Sequence, residues 1–318
     1  MIEYLAPSIK DLEQMLDLLM LNYIEERTHV SILPNPSEMK PLFSRFLSRL
    51  IEKGIGLIAI ENENVVGYMI GFKTGPLFGK NDGVVVPVHG HACVHYRKTE
   101  IYSGLFTQNA SLWVKLGLLS HAVVMFAHDE LQKNFWFENG FGKRCADAIS
   151  EVKLNEPGVS QIKVMKAEFS DLPKLAELHQ QHNLYYRNSP IFMPNVDEDA
   201  LKDLNDWLSK ENHHLWYASF QEEIVGYMRI NPFGESIISY HQDVMNITGA
   251  FVKQSKRNLH IGSSLLDEIM KWLQMNNICK CGVDYESINQ VGSLFWEKHF
   301  TPYTISLTRR IDERILKY

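Results

Sequence analysis

The chain has 318 residues, 45% of them hydrophobic, and a formal net charge of −6. That length exceeds what one core ordinarily holds, so two domains of roughly 150 residues are expected. The acidic balance supplies no basic field for nucleic acid, and no apolar run approaches the ~18 residues of a membrane span, so neither partner is expected. The start Met1-Ile2-Glu3-Tyr4 lacks the basic and apolar regions of a signal peptide, which points to a cytoplasmic protein. Four cysteines (Cys93, Cys145, Cys279 and Cys281) are too few for a disulfide framework. Cys279 and Cys281 are expected on one strand face as buried or idle thiols.

In chain order, residues 2–5 read as a short strand, and Ser8 with Asp11 reads as the capping box of a helix turning Leu12, Met15, Leu16 and Leu19 inward. Pro34 and Pro36 break the chain. A second amphipathic helix carries Leu42, Phe46, Leu47, Leu50 and Ile51 and ends at Gly54. A hairpin follows, 57–60 and 65–72 around a polar turn, and then a longer strand over 84–95. Residues 101–116 are expected to be helical, with Leu105, Leu112, Trp113 and Leu116 on one side, and 122–127 form a central strand. Phe135-Trp136-Phe137 lies on a short helix ended by Gly140-Phe141, and 145–149 supply a last strand before a linker holding Pro157-Gly158.

The order then begins again at Ile162. Val66-Gly67-Tyr68-Met69 recurs identically 159 residues later as Val225-Gly226-Tyr227-Met228. The same step carries Ala59 onto Ala218, Trp113 onto Trp272, and Phe137-Glu138 with Phe141 onto Trp296-Glu297 with Phe300, while Asp11-Leu12 falls on Asp171-Leu172 at a step of 160. The chain is a tandem repeat, with domains expected at 1–150 and 160–318. Each half is expected to be α/β (α+β): a mixed, mostly antiparallel sheet flanked by helices, whose fourth strand, helix and fifth strand form one right-handed βαβ unit.

The most chemically suggestive stretch is Phe251-Val252-Lys253-Gln254-Ser255-Lys256-Arg257-Asn258-Leu259-His260-Ile261-Gly262-Ser263. It runs from a strand end through a basic turn into a helix over 261–276. Unpaired N–H groups and the helix dipole favour an anion there, Gly262 allows close approach, and Lys253, Lys256 and Arg257 add positive charge. In its setting this half resembles the GNAT superfamily of acyl-CoA-dependent N-acyltransferases. Arg257 and Gly262 match the ends of that family's Q/R-x-x-G-x-G/A turn, and His260 stands where the inner glycine would. The segment 282–286 with Asn289 and 295–300 resembles the family's next strand and helix. The resemblance covers 162–310 and, more loosely, 1–149.

The resemblance implies acetyl-CoA as acyl donor. Its pyrophosphate would lie on Arg257, Asn258, Leu259, His260, Ile261, Gly262 and Ser263, and its pantetheine along Phe251, Val252 and Lys253, near Asn289 and Trp296. It also implies attack by the amine of a small molecule or peptide on the thioester. The family's usual acid, a tyrosine, is replaced by Trp296, and its common base position falls near Asn246. The nearest titratable groups are His241 and Asp243 upstream on the same segment, with Tyr240, Tyr285 and Glu286 on neighbouring elements. The alternative is a catalytically inactive protein that binds CoA or a metabolite and regulates. In the first half the turn is replaced by Tyr96-Arg97-Lys98-Thr99-Glu100-Ile101-Tyr102-Ser103, so that half is not expected to bind CoA. Strand alternation would put His89, His91, Cys93 and His95 in one row, which His121, His128 and Asp129 could join. Strand neighbours about 7 Å apart are too wide for one tetrahedral ion, and no metal is expected. The repeat itself leaves either a monomer that is an internal pseudo-dimer or a homodimer.

Overall fold

A computed structural model describes residues 1–154, 161–194 and 199–317; the linker around Pro157-Gly158 lies outside the described residues. The chain divides into two compact units, Met1–Ala146 with Pro302–Tyr318, and Asp147–Thr301.

The first unit contains β1 (Glu3–Leu5), α1 (Leu12–His29), α2 (Pro36–Lys53), β2 (Ile55–Glu61), β3 (Asn64–Pro76), β4 (Asp82–Val86), β5 (His91–Cys93), α3 (Lys98–Lys115), β6 (Ser120–Phe126) and α4 (Glu130–Glu138). β7 (Gly142–Glu151) straddles the boundary, and β13 (Thr301–Arg310) returns from the C-terminal end. The strand order is β1-β2-β3-β4-β6-β13, with β5 pairing β3. Every pairing is antiparallel except β4 with β6.

The second unit repeats the order: β8 (Lys163–Lys166), α5 (Leu172–Arg187), α6 (Ala200–Leu208), β9 (His214–Phe220), β10 (Glu223–Asn231), β11 (Val244–Val252), α7 (Ile261–Met275), β12 (Lys280–Glu286) and α8 (Gln290–His299). Its strands run β8-β9-β10-β11-β12, antiparallel except β11 with β12. Leu172, Leu175 and Leu178 of α5 pack with Leu204, Leu215, Tyr217, Tyr227 and Phe251 on one face of this sheet.

The identical tetrapeptides have a physical cause. A Cβ at Gly67 would come within 2.6 Å of the Ile101 side chain, and one at Gly226 within 3.2 Å of Ile261. In both units the bare backbone lets the first turn of the crossover helix settle onto the strand.

Four expectations are corrected. The last strand, read as part of the second domain, lies in the first unit, where Thr304 to Arg310 pair with Phe126 to Ser120. The long strand over 84–95 is interrupted by a 3-10 turn, Val88–Gly90, entered through Pro87. The buried face of α2 is Met39, Phe43, Leu47 and Leu50, about one position around from the expected stripe. Cys279 precedes β12 and is exposed while Cys281 is buried, so the two thiols do not share an environment. Among the described residues no helix is long and apolar enough to cross a membrane.

Candidate functional site

β11 and β12 form a fork. Their parallel ladder runs from Val244↔Lys280 to Ile247↔Val283, and past that pair the strands separate. A bulge marks the parting: Ile230 faces Ile247 and Arg229 faces Gly249, so Thr248 is skipped, and its hydroxyl bonds Asn231 Oδ1 at 2.9 Å. β10 holds the other edge of β11 as far as Gly226↔Val252, and the Lys253 N–H donates to Val225 O at 2.8 Å. Toward β12, the main chain from Thr248 to Val252 has no strand partner among the described residues. Such an edge accepts an extended ligand as an added strand.

The chain leaves β11 through a 3-10 turn, Gln254–Lys256, and enters α7 after two residues in the left-handed region, Asn258 (φ 62°) and His260 (φ 59°). His260 therefore makes the backbone turn that a glycine would make, and its exposed side chain stays clear of it. The left-handed conformation costs a non-glycine residue about 1–2 kcal/mol. His260→Gly is expected to raise stability by about that amount, less the added unfolded-state entropy of glycine, and to retain CoA binding; thermal melting and titration check both.

No side chain caps α7, whereas Asp129, Asp199 and Asn289 cap α4, α6 and α8. The Ser264 N–H bonds His260 O at 2.9 Å, and the N–H groups of Ile261, Gly262 and Ser263 point out of the helix mouth. That is an anion-binding end. Gly262 has a second reason to be glycine: a Cβ there would lie 3.2 Å from the Phe295 ring.

Around the mouth, Lys253 and Lys256 reach Glu223 at 2.8 and 3.4 Å. Hydrogen bonds from the two lysines hold the Glu223 carboxyl below its usual range. Exposed pairs of this kind are weak, so both lysines can turn to a phosphate. Glu223→Gln is expected to tighten CoA binding about two- to fivefold at low ionic strength and to lose that advantage in 0.5 M salt, as titration at the two salt levels would show. Arg257 lies over the Tyr185 ring at 4.7 Å, and the Tyr185 hydroxyl donates to Asn289 Oδ1 at 2.9 Å. The same oxygen accepts the Gly292 N–H at 3.3 Å, leaving Asn289 Nδ2 free of the cap.

Phe251 is fixed by residues the sequence did not single out. Its ring stacks on His182 at 5.1 Å. The Tyr227 hydroxyl lies 2.6 Å from His182 Nδ1 and 2.7 Å from His179 Nδ1, and His179 Nε2 lies 2.8 Å from Asp203. One hydroxyl donates a single proton, so one histidine accepts it and the other donates to the phenol oxygen. Burial lowers His182 to about 3, with the His179 and Arg229 charges adding, so its ring is neutral. Tyr227 belongs to the repeated tetrapeptide, the one signal that could have marked this network.

The expected catalytic residues separate. His241 Nδ1 accepts from the Asp243 N–H at 3.3 Å, and the Asp243 carbonyl accepts from Lys280 N at 3.1 Å. Both residues precede β11, about 13 Å of strand from the parting. Glu286 closes β12 on the open side, and its carbonyl accepts from the Asn289 N–H at 3.1 Å. Asn246 is buried, its amide donating to Ser239 O at 3.3 Å. Trp296 is buried on α8 between Phe295 and Phe300.

The matching place in the first unit is filled from within. His91 Nδ1 lies 2.9 Å from the Tyr102 hydroxyl, and its Nε2 reaches across to Val124 O on β6 at 2.7 Å. Burial lowers it to about 4, so the bridge is a neutral imidazole. Lys98, where the repeat places Arg257 in the second unit, is buried and donates to Asp129 at 2.6 Å. The histidine row is dispersed: His89 sits in the 3-10 turn against Phe46, His91 bridges to β6, and His95 pairs with Glu25 on the surface. Among the described residues no three metal-ligating side chains converge.

The two-repeat fold, with an uncapped helix mouth beside a forked parallel strand pair, has counterparts among known proteins. Residues 177–297 match the acetyltransferase (GNAT) family. No curated protein matches the chain. The GCN5-related N-acetyltransferase from Sphaerobacter thermophilus is similar in structure over 97% of this chain and 95% of its own, at 12% identity and TM-score 0.64. A GNAT-family acetyltransferase from Colwellia psychrerythraea is similar over 98% and 100% at 13% identity and TM-score 0.53. The chain therefore has a tandem GNAT fold, and its match to the family model falls within the second repeat.

Proposed function

We propose that the second unit is an N-acetyltransferase that moves an acetyl group from acetyl-CoA to the amine of a small molecule or peptide by direct attack, acting in the cytoplasm. The observation that carries this reading is the continuity between the unpaired edge of β11, Thr248 to Val252, and the uncapped mouth of α7. Pantetheine amides would pair with that edge along Phe251 and Val252, and the pyrophosphate would sit on the N–H groups of Ile261, Gly262 and Ser263. Lys253 and Arg257 would close over it, Arg257 held by its stacking on Tyr185. Asn258, Leu259 and His260 shape the turn, and Asn289 Nδ2 would reach the pantetheine. The thioester then falls at the parting of the strands, where Glu286 and its neighbours on β12, rather than His241 and Asp243, stand nearest.

The leaving thiolate needs little help, since a thiol of pKa near 8.5 makes it a tolerable leaving group. Burial of Trp296 in the tyrosine's place favours the second reading, a regulator that binds CoA without turnover. Purified protein with acetyl-CoA and pooled amines separates the two. Amine-dependent release of free thiol supports the transferase; tight CoA binding with no thiol from a broad panel supports the regulator.

A further inference from the structure

Arg229 lies across the sheet beside the parting of β11 and β12. It stands on β10 opposite Gly249, the second residue of β11 past its last pairing with β12. A Cβ at Gly249 would lie 2.5 Å from Arg229 Nε and 3.0 and 3.1 Å from its Cγ and Cδ, so the bare strand is what lets this side chain cross it. α6 supplies the other wall. Arg229 Cζ lies over the Trp207 ring, 4.2 Å from its centre, and Nη1 donates to Asp203 Oδ2 at 3.3 Å. The same carboxylate oxygen lies 2.8 Å from His179 Nε2.

The fold does not require this guanidinium. The repeated tetrapeptide fixes the register, and 159 residues earlier the position is Ile70, 1% exposed. Where the first unit packs an aliphatic side chain, the second places a cation with donors to spare. Among the described residues, Nη1 makes the guanidinium's only hydrogen bond. Nε is buried without a partner, and the indole nitrogen of Trp207 is a second buried donor without one. Such donors are costly until an acceptor reaches them. The Arg229 side chain keeps 19% of its surface open, so a ligand has access to it. Nε and Nη2 share the edge with which a guanidinium pairs a carboxylate through two parallel hydrogen bonds, and Asp203 takes the other end. Through His179, Tyr227 and His182 the same hydrogen-bonded chain reaches the Phe251 ring, so this site and the proposed cofactor edge share one support.

Resting on the transferase reading, we propose that Arg229 receives the carboxylate of the acceptor and that the acceptor is an α-amino acid. Position decides the class. Gly249 follows Thr248, where the strands part and the thioester is proposed to lie, so a carboxylate on Arg229 stands close to the acyl group. An amine one carbon from that carboxylate spans the gap. A peptide held by its C-terminal carboxylate carries its amine at the far end of the chain and does not.

Calorimetric titration of the full chain, in the presence of CoA, with the common L-amino acids and their α-carboxamides reads binding, and thiol release from acetyl-CoA reads turnover. The amides keep the size and lose the charge. Wild type is expected to favour at least one amino acid over its amide by about tenfold or more in both Kd and kcat/KM. Arg229→Ile, which places the first unit's side chain at this position, is expected to abolish that preference by weakening the acid alone, with CoA affinity unchanged. Arg229→Lys keeps the charge without the fork and is expected to lose most of the preference; it carries the test if the isoleucine variant does not fold. A merely structural role for Arg229 would weaken acid and amide alike, and that result would overturn the inference. Amides as good as the acids in wild type, or a preference that survives both substitutions, would also overturn it and leave the transferase standing. If no amine yields thiol, the transferase reading fails, and binding still decides the carboxylate site: an amino acid held over its amide through Arg229 supports it, and no such preference overturns it.

Discussion

Lys98→Met is expected to destabilise the first unit by about 3–5 kcal/mol while leaving CoA affinity unchanged. The Lys98 ammonium is buried, and its 2.6 Å contact is with Asp129 Oδ2, whose other oxygen caps α4 through the Gln132 N–H at 3.1 Å. Methionine keeps most of the stem and removes the charge, so the Asp129 carboxylate is left at low exposure without its partner. In the second unit the corresponding Arg257 is held by an aromatic ring and, among the described residues, by no carboxylate, and so stays available to a ligand. The contrast is the physical reason one repeat is closed and the other open. Denaturant unfolding monitored by fluorescence gives the stability, and CoA titration gives the affinity. Unchanged stability would show that the internal ion pair does not hold the first unit together, and a fall in CoA affinity with the protein still folded would place a ligand in the first unit.

Ser263→Glu is expected to weaken CoA at least about tenfold at low salt without loss of stability. A carboxylate in the first turn of α7 complements the helix dipole and stabilises the helix by about 0.3–1 kcal/mol. The same charge would stand where the pyrophosphate is proposed to bind. Two unit charges about 6 Å apart repel by about 0.7 kcal/mol in water and about 3 kcal/mol at an effective permittivity near 20, and a pyrophosphate carries two such charges. Opposite signs for folding and binding separate a lost site from a lost fold. The effect should shrink as salt is added. An unaltered affinity would place the phosphates elsewhere.

The repeat was legible because it rests on local packing: Gly67 and Gly226 are held to glycine by Ile101 and Ile261, so the tetrapeptide survives in both halves. The start of α7 was legible too, its Ile261 boundary set by a turn whose glycine-like geometry His260 supplies at φ 59°. The interruption at Val88–Gly90 was not, because alternation across Val84 to His95 continues in the sequence while Pro87 diverts the backbone. The return of β13 to β6 was also hidden, since strand pairing between residues near 120 and 310 leaves no local periodicity. Of the candidates His241, Asp243 and Glu286, the first two share a segment with β11 but stand at its closed end, while Glu286 ends β12 on the open side.

One repeat is proposed to bind acyl-CoA at the α7 mouth, while the other is closed by its own side chains. Calorimetric titration of the full chain with CoA, beside Ser263→Glu and Lys98→Met, tests it most directly. One site per chain is expected, weakened by Ser263→Glu and untouched by Lys98→Met. Two sites per chain, or a single site sensitive to Lys98→Met and indifferent to Ser263→Glu, would contradict it.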